Sequence, residues 1–197
     1  MSCRRTFAQH GVIVGLMLLC TVSPAGAQRR ALEATGPTFG FALGFSRAVL
    51  RTSPTSTWTG VDVAFAWRAG YQVSDRVSLL LVGSGATYRH TGPGRARRRG
   101  FETLMPMVEY RVDDRLRLSA GGGLQLDAPV FFDVRPSQPD ETRYSVGLGG
   151  ALAASYAVVT GDAVDLDLHT RWNIGRVAVP HGTLRGNALS MLLGVRR

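Results

Sequence analysis

The strongest constraint in this sequence is an alternation of apolar and polar side chains with a period of two. That period belongs to extended strands with one apolar face and argues against helices over the same residues. Over 61–73, Val61, Val63, Phe65, Trp67, Ala69, Tyr71 and Val73 oppose Asp62, Ala64, Ala66, Arg68, Gly70 and Gln72. Over 116–127, the apolar face Leu116, Leu118, Leu124 and Leu126 opposes Arg117, Ser119, Gln125 and Asp127. Over 143–158, Tyr144, Val146, Leu148, Leu152, Tyr156 and Val158 oppose Arg143, Ser145, Gly147, Ala151 and Ser155. Over 164–174, Val164, Leu166, Leu168, Trp172 and Ile174 oppose Asp165, Asp167, His169, Arg171 and Asn173. Weaker copies of the pattern cover 38–49, 77–88, 101–112 and 184–195.

Each of these segments reaches the roughly 9–11 residues that a tilted strand needs to cross a bilayer core. The connections alternate in length as well. Residues 74–76, 113–115 and 160–163 are short turns, whereas 50–56, 89–100, 128–142 and 175–183 are long. The expected fold is therefore all-β: an eight-stranded antiparallel up-and-down transmembrane barrel with both ends of the chain on the short-turn side. Tyr71, Tyr110 and Tyr156 are expected at one membrane interface, with Trp67 deeper, and Trp58, Tyr88, Phe101, Tyr144 and Trp172 at the other. The uncharged run 144–161 is long enough for a membrane helix. Its glycines and its aliphatic residues two apart argue against one.

Export is read from the first residues. Arg4 and Arg5 precede an uncharged stretch over 11–22, which ends in Ser23-Pro24-Ala25-Gly26-Ala27. This is the order of a secretory signal peptide, so residues 1–27 form the expected signal and 28–197 the barrel domain. Both cysteines, Cys3 and Cys20, fall inside that signal, and the expected mature chain has no disulfide or thiolate chemistry. The formal net charge is +9, with 23 basic residues, all of them arginine. Lysine-dependent chemistry is excluded, and the excess lies in guanidinium groups suited to carboxylate or phosphate.

In these features the chain resembles the small eight-stranded outer-membrane barrels of the OmpA and OmpX kind. The most specific pieces are Pro106-Met107-Val108-Glu109-Tyr110-Arg111-Val112 followed by Asp113-Asp114, similar to the family's fourth strand and turn, and the alternating Leu189, Met191, Leu193 and Val195 of the last strand. The chain departs from the family in ending on Gly194-Val195-Arg196-Arg197 rather than on an aromatic residue. The resemblance implies the outer membrane of a Gram-negative-type bacterium, with the long connections outside the cell.

The faces assigned to the lumen carry Arg68, Arg111, Arg117, Arg143 and Arg171 against Asp62, Glu109, Asp127, Asp165 and Asp167, with His169 among them. An eight-stranded barrel is just wide enough for its side chains to fill, so a balanced set of buried charges reads as an ionic plug. A lipid A-modifying enzyme is weighed on Asp165, Asp167, His169 and Arg171, which share one face beside small residues. Arg171 stands where a His-x-Ser arrangement would need serine, so no catalytic residue is assigned. The alternatives are a narrow passive channel and a soluble lipocalin-like carrier, which would put its apolar side chains inside. No cofactor is expected. No metal is expected either, since His10, His90, His169 and His181 are scattered. The segment 89–100 is expected to be a basic loop whose Arg89, Arg95, Arg97, Arg98 and Arg99 contact lipid phosphate, with outer-membrane lipids and lipopolysaccharide as partners. Nucleic acid is not expected, and the protein is expected to be a monomer.

Overall fold

The computed structural model describes residues 35–52, 56–92, 95–130, 144–161, 164–179 and 182–197. The side chains of 52, 56–59, 90–92 and 95–97 lie outside the description, as do the expected signal segment 1–27 and Arg143. The described chain is a closed antiparallel barrel in sequential order: β1 (Gly36–Thr52), β2 (Ser56–Gln72), β3 (Val77–Gly92), β4 (Arg95–Arg111), β5 (Leu116–Pro129), β6 (Ser145–Val159), β7 (Asp165–Val179) and β8 (Gly182–Arg196). Closure is made by β1 against β8, whose register runs from Gly40 opposite Arg196 to Thr52 opposite Leu184. The Phe39 N–H donates to the Arg197 carbonyl at 3.0 Å and the Arg197 N–H to the Phe39 carbonyl at 2.9 Å, so the ladder is sealed to the last residue.

Two of the short turns have a local cause. The Ser74 hydroxyl accepts the Val77 N–H at 3.1 Å, and the Asp113 carboxylate accepts the N–H groups of Arg115 and Leu116 at 2.8 and 2.7 Å. Such side chains satisfy backbone donors where the chain reverses, which fixes the hairpin register.

At the opposite end the strands run farther than hydrophobicity alone suggests. β2 starts at Ser56, β3 ends at Gly92, β4 starts at Arg95 and β7 ends at Val179. The expected long connections 50–56, 89–100 and 175–183 are therefore largely strand. Ladder hydrogen bonds need only paired backbone groups, so hairpins continue past the apolar belt into polar sequence. The connection between β5 and β6 stays long.

The two faces of the wall have opposite chemistry. Outside, Phe39, Phe41, Leu43 and Phe45 of β1 and Leu189, Met191, Leu193 and Val195 of β8 are 46% to 67% exposed. Similar exposed aliphatics ring the other strands. A contiguous apolar belt of this kind is unfavourable against water and suits hydrocarbon. On the same outer face, Trp67 and Phe65 lie over Gly83 and Gly85 of the neighbouring strand and cover backbone that has no side chain of its own.

Inside, buried residues form layers. Down β4 from the long-connection end, the inward positions are Arg99, Phe101, Thr103, Met105, Met107 and Glu109. Up β7 they are Asp167, His169, Arg171, Asn173 and Val177. Tyr71, Tyr110, Tyr144 and Trp172 face outward as expected. Tyr88 and Phe101 do not. They are 2% and 0% exposed and belong to an inner cluster with Ala48, Leu50, Ala86, Val177, Leu184 and Ala188. Both share the inward parity of their strands, and burying an aromatic ring in the lumen removes more apolar area from water than an interface position does.

Candidate functional site

The lumen holds the side chains with the densest chemistry, and their arrangement follows from which strand presents each one. Near the short-turn end, Arg68 of β2 donates to Asp167 of β7 at 2.8 Å and to Glu109 of β4 at 3.2 Å, so one guanidinium ties two walls of the barrel together. All three groups are at most 8% exposed. Arg117 of β5 lies 3.8 Å from Glu109. Arg196 of β8 donates to Asp165 at 2.6 Å and stands 3.4 Å from Asp167. His169 approaches Asp167 at 3.7 Å. Space for Arg68 is left by Gly40, where an added Cβ would lie 2.6 Å from its Nε.

Midway along the lumen the contacts no longer pair opposite charges, and they cross the barrel. Arg171 of β7 reaches the Met107 sulfur of β4 at 3.5 Å, and the Asn173 amide of β7 donates to the Ser84 hydroxyl of β3 at 3.3 Å. Ser84 and Thr103 share a hydrogen bond of 2.7 Å. Leu80, Val82, Met105, Met107 and Ala151 pack around these groups. The glycines at 121, 123, 149 and 175 lie against Met107, Met105 and Gln125 here. Toward the long-connection end, Asp127 of β5 accepts from the Tyr88 hydroxyl at 2.7 Å and from Arg99 at 2.9 and 3.1 Å.

Several expected site residues stand elsewhere. The balanced set of ten charges is split: Arg68, Glu109, Arg117, Asp165 and Asp167 meet near the short-turn end, while Asp127 pairs separately with Arg99 and Tyr88 toward the other end. Arg171 is buried but has no carboxylate partner among the described residues; its contact is the thioether of Met107. Arg111 donates to Gln72 at 3.1 Å. Asp62 pairs with Arg98 at 3.4 Å. Of the expected phosphate-contacting arginines, Arg89 is exposed and the side chains of Arg95 and Arg97 lie outside the described residues. Arg99 is corrected outright: its guanidinium turns inward onto Asp127, because residue 99 lies on a strand and shares the inward parity of Phe101, Thr103 and Met105. Arg196, absent from the expected set, shares the inward parity of Ala188, Ser190 and Leu192.

Among the described residues no three His, Cys, Asp or Glu side chains converge as a metal site. What the paired lumen groups can do as they stand is neutralise one another and hold the walls together, Arg171 being the buried charge left outside those pairs.

No family pattern and no curated protein matches the chain. Among solved structures it is similar to Ail, the attachment invasion locus protein of Yersinia pestis, at 11% identity and a TM-score of 0.50 over 83% of this chain and 100% of that one. The same protein in complex with the heparin analogue sucrose octasulfate aligns at a TM-score of 0.52 and 11% identity, over 82% of this chain and 99% of that one. Neisserial surface protein A aligns at 18% identity and a TM-score of 0.51, over 83% of this chain and 98% of that one. At these identities the likeness is one of fold, and the chain has the closed eight-stranded antiparallel architecture of the small outer-membrane barrels.

Proposed function

We propose that this protein is exported to the outer membrane of a Gram-negative-type bacterium. There it spans the bilayer as a monomeric barrel that neither conducts nor catalyses and acts as a structural or surface-interaction protein. The observation that carries this reading is the pair of contacts from β7 across the lumen, Arg171 to Met107 and Asn173 to Ser84, stacked above the Arg68 ion pairs. Side chains that meet from opposite walls leave little continuous path for ions. The apolar exterior supports the membrane setting and speaks against a lipocalin-like carrier, which places its apolar face inside. His169 is 7% exposed and sits against Asp167 within this packing, so it serves as a member of the ionic group and not as an acid or base for a lipid substrate. The rim of the barrel is basic. Arg89 is exposed there, and Arg95 and Arg97 follow in the sequence, so contact with phosphate-bearing lipid, lipopolysaccharide included, is the interaction this rim suits.

Planar-bilayer recording on the refolded barrel tests the closed lumen. No steady conductance is expected from the wild type. A steady conductance that disappears on substitution of Arg143 or Asp167 would establish a passive channel and overturn the reading.

A further inference from the structure

Outside the lumen, and apart from segment 89–100, the wall between β1 and β6 carries a feature that the ionic interior does not explain. Arg51 of β1 faces Arg185 of β8, which in turn faces Arg176 of β7, so three arginines occupy one continuous cross-strand row, continued by Leu148 of β6. All three point outward and are exposed. Neighbouring strands lie about 4.8 Å apart, so the row places three guanidinium groups along a span of about 10 Å. Like charges directly opposite one another on a sheet are destabilising. Yet none of the three has a carboxylate within ion-pair distance among the described residues.

The next row toward the apolar belt is Val49, Asn187, Ile174 and Gly150, and the one beyond it is Arg47, Leu189, Trp172 and Leu152, with Arg47 exposed at its β1 end. The first of these rows lines an open groove of about 660 Å³ together with the three arginines and Leu148; the second lies beyond it. Its floor is low at Gly150, where an added Cβ would meet only the Gly121 carbonyl, at 3.3 Å. Within its lining the groove has the three arginines at one end and Val49, Ile174 and Gly150 beside Asn187 at the other. Its cationic end points toward the side of the barrel from which the long β5–β6 connection leaves, the outer side in barrels of this kind.

We infer that this groove holds a phosphate-bearing lipid of the outer leaflet. Arg51, Arg176 and Arg185 grip the headgroup phosphate, and an acyl chain lies over Gly150 against Ile174 and Leu148. The match is one of charge and of shape along the groove: guanidinium groups bind phosphate oxygens in pairs, and Gly150, in the next row on β6, leaves the wall low beside Ile174. The inference rests on the proposed outer-membrane setting and adds to it a specific lipid partner and its seat. It also explains the like-charge row, since a bound phosphate removes the repulsion that the bare sheet carries.

Native mass spectrometry of the refolded full barrel in neutral detergent, supplied with diphosphoryl lipid A, tests the site. The wild type is expected to retain one lipid per barrel. The triple variant Arg51→Gln/Arg176→Gln/Arg185→Gln is expected to retain about tenfold less or lower, as fits the loss of charge-assisted contacts. Gly150→Leu, which leaves every arginine in place and fills the trough, is expected to lose lipid as well, and an excess of inorganic phosphate is expected not to displace it. Equal retention by the triple variant, equal retention of the dephosphorylated glycolipid, or full displacement by inorganic phosphate would each overturn the inference. Heat-dependent gel migration and membrane fractionation of the same proteins separate the two levels. Variants that insert, fold and still retain lipid refute the groove alone, whereas a wild type absent from the membrane fraction refutes the outer-membrane setting beneath it.

Discussion

Replacing Arg68 by alanine is expected to lower the unfolding free energy of the barrel in detergent by about 3–5 kcal/mol, the range for removing one partner of a buried ion pair. The effect is large because Arg68 serves two carboxylates, Asp167 at 2.8 Å and Glu109 at 3.2 Å, and both are buried. After the substitution Glu109 keeps only Arg117 at 3.8 Å, and Asp167 keeps Arg196 at 3.4 Å and His169 at 3.7 Å. Neither remaining geometry replaces a direct charge-assisted hydrogen bond, so the cost comes from carboxylates left poorly compensated in the lumen. A double variant, Arg68→Ala/Asp167→Asn, removes one orphaned charge and is expected to recover part of the loss. Arg171→Leu supplies the contrast. Its guanidinium is as buried as that of Arg68 but has no carboxylate partner, so a leucine there is expected to be neutral or stabilising. Urea unfolding followed by tryptophan fluorescence measures all of these. Equal effects at positions 68 and 171 would contradict the assignment of the ion pairs.

A charge placed on the outer wall at mid-height is expected to be nearly as damaging, and for a different reason. Met191 lies on β8 between Phe45 of β1 and Thr170 of β7, six residues along the strand from Arg185 and five from Arg196, and is 47% exposed toward the belt. Met191→Arg is expected to cost about 2–4 kcal/mol when the barrel refolds into lipid vesicles, as for charged residues at the midplane of a barrel wall. The neighbouring inward residue Ser190 and the exposed Arg185 define the comparison, because outward charge near the arginine row is already native. If Met191→Arg folds into vesicles as well as the wild type, the surface around Met191 does not face hydrocarbon.

The alternation in the sequence already carried the eight strands, their order and the side of the wall that most of the belt residues face, though not the inward Tyr88 and Phe101. This held because side chains must alternate on a pleated strand and only one face of this wall meets an apolar phase. What alternation could not show was where the strands end. Beyond the belt both faces become polar, so Arg95 to Gly100 carries no hydrophobic signal although its backbone remains paired in the β3–β4 hairpin. That one gap led to Arg99 being read as a loop cation. Once the strand is extended, the same parity that places Met105 and Met107 inside places Arg99 there too. Arg196 was hidden differently. It lies just past the 184–195 segment of the alternation, and its position opposite Gly40 and Asp165 makes it the last inward residue of the closing strand. The cross-strand row of Arg51, Arg185 and Arg176 had no signature in the sequence at all, because the three positions are distant along the chain and meet only through register and closure.

Heat-dependent gel migration of the carbonate-washed membrane fraction tests most directly whether this chain is a closed barrel that lives in a membrane. The unboiled protein is expected in the membrane fraction, migrating faster than its boiled form, because a sealed barrel stays compact in detergent until heat opens it. Recovery in the soluble fraction, or identical migration before and after boiling, would contradict it.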